Sequence, residues 1–267
     1  MSDKLWEDGP MNLQAIADEL YRHQTSAAEL EKLTLRYEGL SVEDAYEIQQ
    51  LCMGKYMNEG QKLVGWKMGL TSKAKQQSVG VDEPIFGHLL DGMELYDPHV
   101  SLTGLIHPRV EPELAFIFKH RLEGDKILPR DVWLATECVV PAVEIIDSRY
   151  KNFSFTLVDV VADNASSSKF YLAEQAYSPY QIALDQVGVV MRRNGEVEQT
   201  GAGAAVLGHP VRSVVEQVRM LSRIGKAVEP GMVVLTGGIT EAIYIHDGDR
   251  ISVSFEGMGE IELTVSQ

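Results

Sequence analysis

Glu111 and Glu113 stand two apart in RVEPELAFIF, and Glu144 follows in CVVPAVEIID. Side chains alternate faces along an extended strand, so Glu-x-Glu turns both carboxylates to one side. Val110, Leu114, Phe116 and Ile117 predict that this strand is substantially buried. Val139, Val140, Val143, Ile145 and Ile146 predict the same for the second. Three acids carried on apolar strands repel one another and lose hydration. A divalent, oxygen-seeking cation relieves both effects, and Mg2+ is the usual choice where substrate oxygens complete its shell. Three unrelated, solvated glutamates are the alternative, and a lone Glu-x-Glu usually is no more than that.

Other residues could work beside such a centre. Lys67 lies in the apolar run VGWKMGLTS. There it would either have a lowered pKa or pair with a substrate carboxylate, unless it is an ordinary lysine on an edge strand. Gly69, Thr71 and Ser72 could offer N–H and hydroxyl donors to an anion, or simply make a turn. Asp163-Asn-Ala-Ser166-Ser-Ser168 packs small donors and acceptors into one loop, just downstream of Asp147, Ser148 and Arg149. Loops at the ends of rigid strands often contact ligands. Gly201-Ala-Gly-Ala-Ala and Thr236-Gly237-Gly238 would let backbone approach a ligand or another strand. Neither has the strand–helix setting of a nucleotide-binding loop, which excludes NAD and ATP. His107, four residues before Glu111, is expected to be structural.

The elements that must hold these residues are legible in outline. MNLQAIADEL places Leu13, Ile16, Ala17 and Leu20 at helical spacing. Ser41 is the predicted N-cap of a helix running to about Asn58, with Ala45, Ile48, Leu51, Cys52 and Tyr56 inward. From Lys62 onward short β-branched or aromatic runs alternate with Gly, Pro, Asp and Asn, the texture of a strand-rich region. Ten strands are expected, among them LVGWKMGL, GHLLDGMEL, VEPELAFIF, VVPAVEIID, SSKFYLA and MVVLTGGI. Asn194-Gly195 reads as a hairpin turn, and Pro210 to Ile224 as a helix stopped by Gly225. The expected division is a helical N-terminal arm over 1–61 and a strand-rich catalytic domain over 62–267.

Composition narrows the partners. The 267 residues are 45% apolar and 24% charged, ordinary for a globular chain, with a formal charge of −15. That charge argues against nucleic acid and anionic membrane. It also means that a small anionic substrate needs local positive charge, which again favours a cation. No apolar run is long enough to span a bilayer, and MSDKLWEDGP lacks the pattern of a signal peptide. Cys52 and Cys138 lie in apolar runs and read as buried free thiols, so cytoplasmic residence is expected.

From about Leu40 to the C-terminus, GWKMGLTSKA, GVDEPIFGHL, LIHPRVEPELAF, VVPAVEIIDSRYKNFSF, VVADNASS, GAGAAVLGHP and LTGGIT occur in an order and spacing that resemble the fumarylacetoacetate hydrolase superfamily. The resemblance is to its hydratase and decarboxylase branch from catechol meta-cleavage. It implies an α+β fold, a mixed β-sandwich roll with N-terminal helices. It also implies a divalent metal, Mg2+ with Mn2+ as the alternative, held by Glu111, Glu113 and Glu144. Lys67 and Ser166 become the catalytic candidates, and Thr71, Ser72, Ile85, Asp163, Gly237 and Gly238 the substrate-binding ones. Members of the branch either decarboxylate 2-oxo-3-hexenedioate or hydrate 2-hydroxypenta-2,4-dienoate. Ile85 stands where the hydratases usually carry an acid, which leans toward decarboxylation. Pro112, between the two metal glutamates, departs from the usual Ala or Gly. Acylpyruvate C–C hydrolysis and a non-catalytic partner subunit rank lower. The partners implied are a small 2-oxo dicarboxylate, the hydratase of the same pathway in a complex, and further copies of the chain as a homo-oligomer.

Overall fold

The structure is a computed structural model that describes residues 11–73, 76–77, 81 and 83–267. The MSDKLWEDGP segment, Ala74 of GWKMGLTSKA, and Gly80 and Asp82 of GVDEPIFGHL lie outside the described residues. Among the described residues, no helix is long and apolar enough to cross a membrane.

Two sheets pack face to face. The larger contains β1 (Leu63–Gly69), β2 (Ile85–Leu90), β3 (Glu94–Leu95), β5 (Arg109–Phe118), β6 (Thr136–Ile146), β7 (Ser167–Leu172) and β10 (Val233–Leu235), in the order β2-β1-β10-β5-β6-β7-β3. The short β11 (Ile243–Tyr244) pairs with the start of β5. The smaller sheet joins β4 (His99–Ser101), β8 (Gly188–Arg193), β9 (Glu196–Ala202), β12 (Arg250–Phe255) and β13 (Gly259–Ser266). Most pairings are antiparallel, while β1–β10, β3–β7 and β4–β13 are parallel. This is the expected mixed sandwich roll with N-terminal helices.

The pleat of β5 explains the layering. Val110, Leu114, Phe116 and Phe118 point into the core shared with the second sheet, against Val253, Ile261 and Leu263. Ala115 and Ile117 point the other way, into a core shared with the N-terminal helices. On β6, Val139, Val143 and Ile145 face the sandwich, and Val140 and Ala142 face the helices. Glu111, Glu113 and Glu144 carry the parity of the helix-facing set.

Helices α1 (Leu13–Thr25) and α2 (Val42–Asn58) cover that face through Ile16, Ala17, Leu20, Ala45, Ile48 and Cys52. Ser41 caps α2 reciprocally: its Oγ accepts from Asp44 N at 3.0 Å, and Asp44 Oδ2 accepts from Ser41 N at 2.9 Å. The short α4 (Leu157–Ala162) adds Val160 and Val161 to the same layer, with a Thr156–Asp159 capping box at its start. On the sandwich side, α5 (Pro210–Arg223) buries Val214, Val218 and Leu221 as expected. Gly225 follows it at φ +67°, and Asn194 and Gly195 both have positive φ in the hairpin turn.

Local patterning overreached or fell short in four places. GHLLDGMEL is two strands rather than one, because Asp91–Met93 forms a 3-10 turn. In MVVLTGGI only Val233–Leu235 pairs, and the rest becomes a loop. The short α3 (Pro129–Ala135) and α4 carry too few turns for a periodic signal and were not expected. Cys138 is half-buried, while Cys52 is buried.

Candidate active site

Pairing of β5 with β6 sets Glu111 directly opposite Glu144, with Glu113 one pleat further along the same face. All three are buried, Glu113 and Glu144 with no exposed surface. One carboxylate oxygen from each lies within 4.8 Å of the others, and among the described residues this is the only such group able to hold a metal. Beyond Leu235 the chain turns at Gly237, φ +105°, and its N–H donates to Glu113 Oε2 at 2.7 Å. A Cβ at Gly237 would stand 2.1 Å from Thr71 Oγ1, so only glycine brings that N–H to the carboxylate.

Lys67 reaches the cluster from β1. Its Nζ lies 3.0 Å from Glu144 Oε2 and donates to the Ala165 carbonyl at 3.1 Å. Burial by itself depresses the ammonium's pKa, but Glu144, Glu111 and Glu113 together outweigh it and hold the group above its usual value. A lowered pKa, one option for Lys67, does not hold in the protein alone; its carboxylate partner here is Glu144 of the chain itself. Burial, reinforced by the neighbouring carboxylates, pushes Glu113 well above the ordinary range. Burial likewise raises Glu144, against the pull of Lys67.

Among the described residues, Lys67 is the cation that pairs into this group of three buried carboxylates. Glu113 Oε1 and Glu144 Oε1 have no hydrogen-bond partner. Orphaned carboxylate oxygens in a dry site are costly unless something completes them. Hard oxygen donors converging within this span suit Mg2+ or Mn2+. The residues present fit a divalent cation.

The cluster opens onto a cavity of about 450 Å³ whose lining includes Lys67, Ile85, Arg109, Glu111, Ser166 and Glu241. Leu70, Ile146, Phe155 and Val160 make much of the remaining wall apolar, and among the described residues no histidine lines it. Ser166 ends a turn in which Asn164, Ala165 and Ser166 all hold left-handed φ between 51° and 57°. Left-handed backbone costs non-glycine residues roughly 1–2 kcal/mol each. Asn164 anchors the turn by accepting from His88 N at 2.8 Å and donating to His88 O at 3.0 Å. Ala165 O is thereby aimed at Lys67, and Ser166 Oγ is left buried without a partner. Backbone strain of this kind is typical of functional loops.

The structure thus brings Lys67, Ile85, Glu111, Glu113, Glu144, Ser166 and Gly237 together, with Gly238 buried next in the chain. Thr71 packs under Gly237, but Thr71 and Ser72 open onto a different cavity of about 650 Å³, with Lys73, Gln76 and Arg212. Asp163 does not line the Glu111 cavity. Its carboxylate pairs with Arg149 through that residue's Nε and, at 3.1 Å, its backbone N–H. His107 is also outside the cavity, its Nε2 lying 2.7 Å from Glu29, while its backbone donates to Asp147. Arg109, Phe153, Phe155 and Val160 were not singled out beforehand. Arg109 shares its β5 parity with Glu111, so the period-two pattern already held the signal for it.

The sequence profile of the fumarylacetoacetate (FAA) hydrolase C-terminal family matches residues 107–266. Over 248 residues the chain is 41% identical to a 4-oxalocrotonate decarboxylase of Pseudomonas putida, covering 92% of this chain and 94% of that one. Over 253 residues it is 36% identical to a 2-keto-4-pentenoate hydratase of Paraburkholderia xenovorans strain LB400, covering 94% of each. A solved structure, 4-oxalocrotonate decarboxylase from Pseudomonas putida G7 complexed with magnesium and adipate, superposes with a TM-score of 0.93. It has 38% identity and covers 97% of this chain and 100% of that one. This chain belongs to the fumarylacetoacetate hydrolase family.

Proposed function

We propose that the chain is a Mg2+-dependent carboxy-lyase that converts 2-oxo-3-hexenedioate (4-oxalocrotonate) to 2-hydroxypenta-2,4-dienoate and CO2. One observation carries this: three buried carboxylates within metal-holding reach of one another, with oxygens of Glu113 and Glu144 left without hydrogen-bond partners, at one end of a cavity whose walls are largely apolar. The relatives named as the decarboxylase, and the magnesium in one of their structures, support it.

Loss of the distal carboxylate as CO2 leaves an electron pair at C5, which the C3=C4 bond passes to the C2 carbonyl. Mg2+ bound to Glu111, Glu113 and Glu144 would supply Lewis-acid stabilisation of the charge that collects on the C2 oxygen. Lys67, fixed between Glu144 and Ala165 O, stands at that same end, and we assign it to hold a proton near the developing enolate oxygen. Ser166 Oγ has its hydrogen bond still to give, and we assign it to a carboxylate oxygen of the substrate. Ile85, buried in the wall, keeps water from the diene.

Hydration of 2-hydroxypenta-2,4-dienoate is the second reading, favoured by the 36% identity to a hydratase over nearly the whole chain. It calls for an acid or base beside the diene; Leu70, Ile85 and Val160 offer none, and Glu241 is the acid of the lining outside the triplet that this reading would have to use. C–C hydrolysis by a histidine-activated water finds no histidine among the described residues of the lining. A hydratase partner in the cytoplasm would suit the chemistry, because the dienol product is short-lived in water. The test is a spectrophotometric comparison of both substrates with Mg2+ and with chelator. We expect chelator-sensitive decarboxylation to exceed hydration by at least about tenfold, which is ~1.4 kcal/mol in barrier. Hydration at an equal or greater rate would reverse the assignment.

A further inference from the structure

We propose that Arg109 is the residue that recognises the distal carboxylate of the substrate. This deepens the decarboxylase reading and rests on it. Arg109, Glu111 and Glu113 occupy alternate positions of β5 and so project from one face. At about 3.4 Å per residue, Arg109 is set roughly 7 Å along the strand from Glu111. Five carbon–carbon bonds of ~1.5 Å, in a zigzag, separate the two carboxyl carbons of a six-carbon diacid by about 6 Å. A diacid held by its 2-oxo end at the glutamates therefore brings its far carboxylate to Arg109. Lys67 cannot serve there, because Glu144 and Ala165 hold it at the near end.

The guanidinium is built to be a fixed receptor. Its carbon lies 3.9 Å from the ring centroid of Phe153 and 4.1 Å from that of Tyr244, and Nη2 donates to the Tyr244 hydroxyl. Two rings and a phenol hold the plane in place without neutralising its charge. Nε is buried and has no hydrogen-bond partner, and the side chain lines the same cavity as Glu111 and Ser166. A planar fork with donors to spare is the natural counterpart of a carboxylate. Arg109 is then a specificity and positioning residue. It favours the dicarboxylate substrate over the monocarboxylate product, which has lost the group it grips, and so helps the product leave.

The test uses Mg2+-loaded protein and two probes read by calorimetry: adipate, which reaches both ends, and oxalate, which reaches only the metal end. Arg109→Met should weaken adipate about 10- to 100-fold, the range for a lost charge-assisted bond, and leave oxalate and Mg2+ affinity within about twofold. KM for 2-oxo-3-hexenedioate should rise by a similar factor, with a smaller change in kcat. Unchanged adipate binding, or parallel loss of adipate and oxalate, would overturn the proposal. If Arg109→Met does not fold, wild-type protein still decides the matter. Hexanoate, of adipate's length but lacking the second carboxylate, should bind at least about tenfold more weakly than adipate. Equal binding would overturn the assignment. Wild-type protein that never decarboxylates the diacid would sink the functional reading, while the adipate comparison would still judge Arg109.

Discussion

Two buried charge clusters lie close together in this chain and are put together differently. In the first, Arg149 pairs with Asp163, and the buried Asp147 close by is satisfied by the Ile106 and His107 N–H groups. The guanidinium's Nε and the backbone N–H go to the Asp163 carboxylate, and its remaining nitrogens reach the main-chain oxygens of Asp163 and Ser167. In the second, Lys67 faces Glu111, Glu113 and Glu144, and oxygens of Glu113 and Glu144 are left without hydrogen-bond partners. Both are almost completely removed from water. The first cluster is complete within the protein and fixes the loop that presents Ser166. The other leaves buried oxygens of Glu113 and Glu144 unpartnered, which a bound cation would complete. Burial alone does not separate a structural ion pair from a binding site, but charge balance and hydrogen-bond completion do.

The sharpest way to break that contrast is to substitute in each cluster. Glu113→Gln keeps an oxygen for the Gly237 N–H but removes a buried negative charge. Turnover should fall at least about a thousandfold, ~4 kcal/mol in barrier, as a metal ligand is lost. Stability of the metal-free protein should hold or rise, because a repelling charge has gone. A metal-free Glu113→Gln protein less stable than wild type in denaturant melts would show that the triplet is self-sufficient. Asp163→Asn should behave in the opposite manner. Leaving Arg149 buried and unpaired is expected to cost about 3–5 kcal/mol of folding stability, seen as a lower denaturant midpoint. A midpoint within error of wild type would remove the structural assignment of that pair.

What the sequence disclosed follows the same division. The strand parity of Glu111 and Glu113, the cap at Ser41 and the turn at Asn194-Gly195 depend on neighbours a few residues apart, and all were legible. That Glu144 lies opposite Glu111 depends on strand register, which residue spacing does not fix; the resemblance implied only that the three share a metal. Asp163 is a substrate-binding candidate through the resemblance, its loop of small polar groups being as common in plain turns. Its partner Arg149, 14 residues earlier, is brought to it only by the tertiary fold. Thr71 and Ser72 read as part of the Lys67 segment, yet the chain bends at Leu70, φ +55°, and Ser72 and its neighbours turn toward a separate cavity. Arg109 was missed though its position was visible, since an arginine beside an acidic pair on an apolar strand resembles ordinary charge balancing until the cavity is seen.

The smallest expected effect is also the most specific to charge balance. In the metal-free protein Glu113 and Glu144 have pKa values raised above the ordinary 4.5, by burial first and by neighbouring carboxylates after it. Between 4.5 and those raised values the folded chain keeps protons that the unfolded chain has released. Stability of the metal-free protein therefore falls as pH rises through that window. Asp163, raised by burial to about 6 despite Arg149, pushes in the same direction between 3.8 and 6. Asp163 contributes with or without metal, however, so subtracting one melting series from the other removes it. Metal binding needs the glutamates ionised and displaces their protons, so the stabilisation by Mg2+ should grow with pH. Each displaced proton is worth up to about 1.4 kcal/mol per pH unit, and Mg2+ at a hundred times its Kd adds about 2.7 kcal/mol in all. Thermal melts at pH 6 and pH 8, with saturating Mg2+ and with chelator, should show a wider gap at pH 8. An equal gap at both would mean that Glu113 and Glu144 are already ionised at pH 6 without the metal, and that the two clusters differ less than their charges suggest.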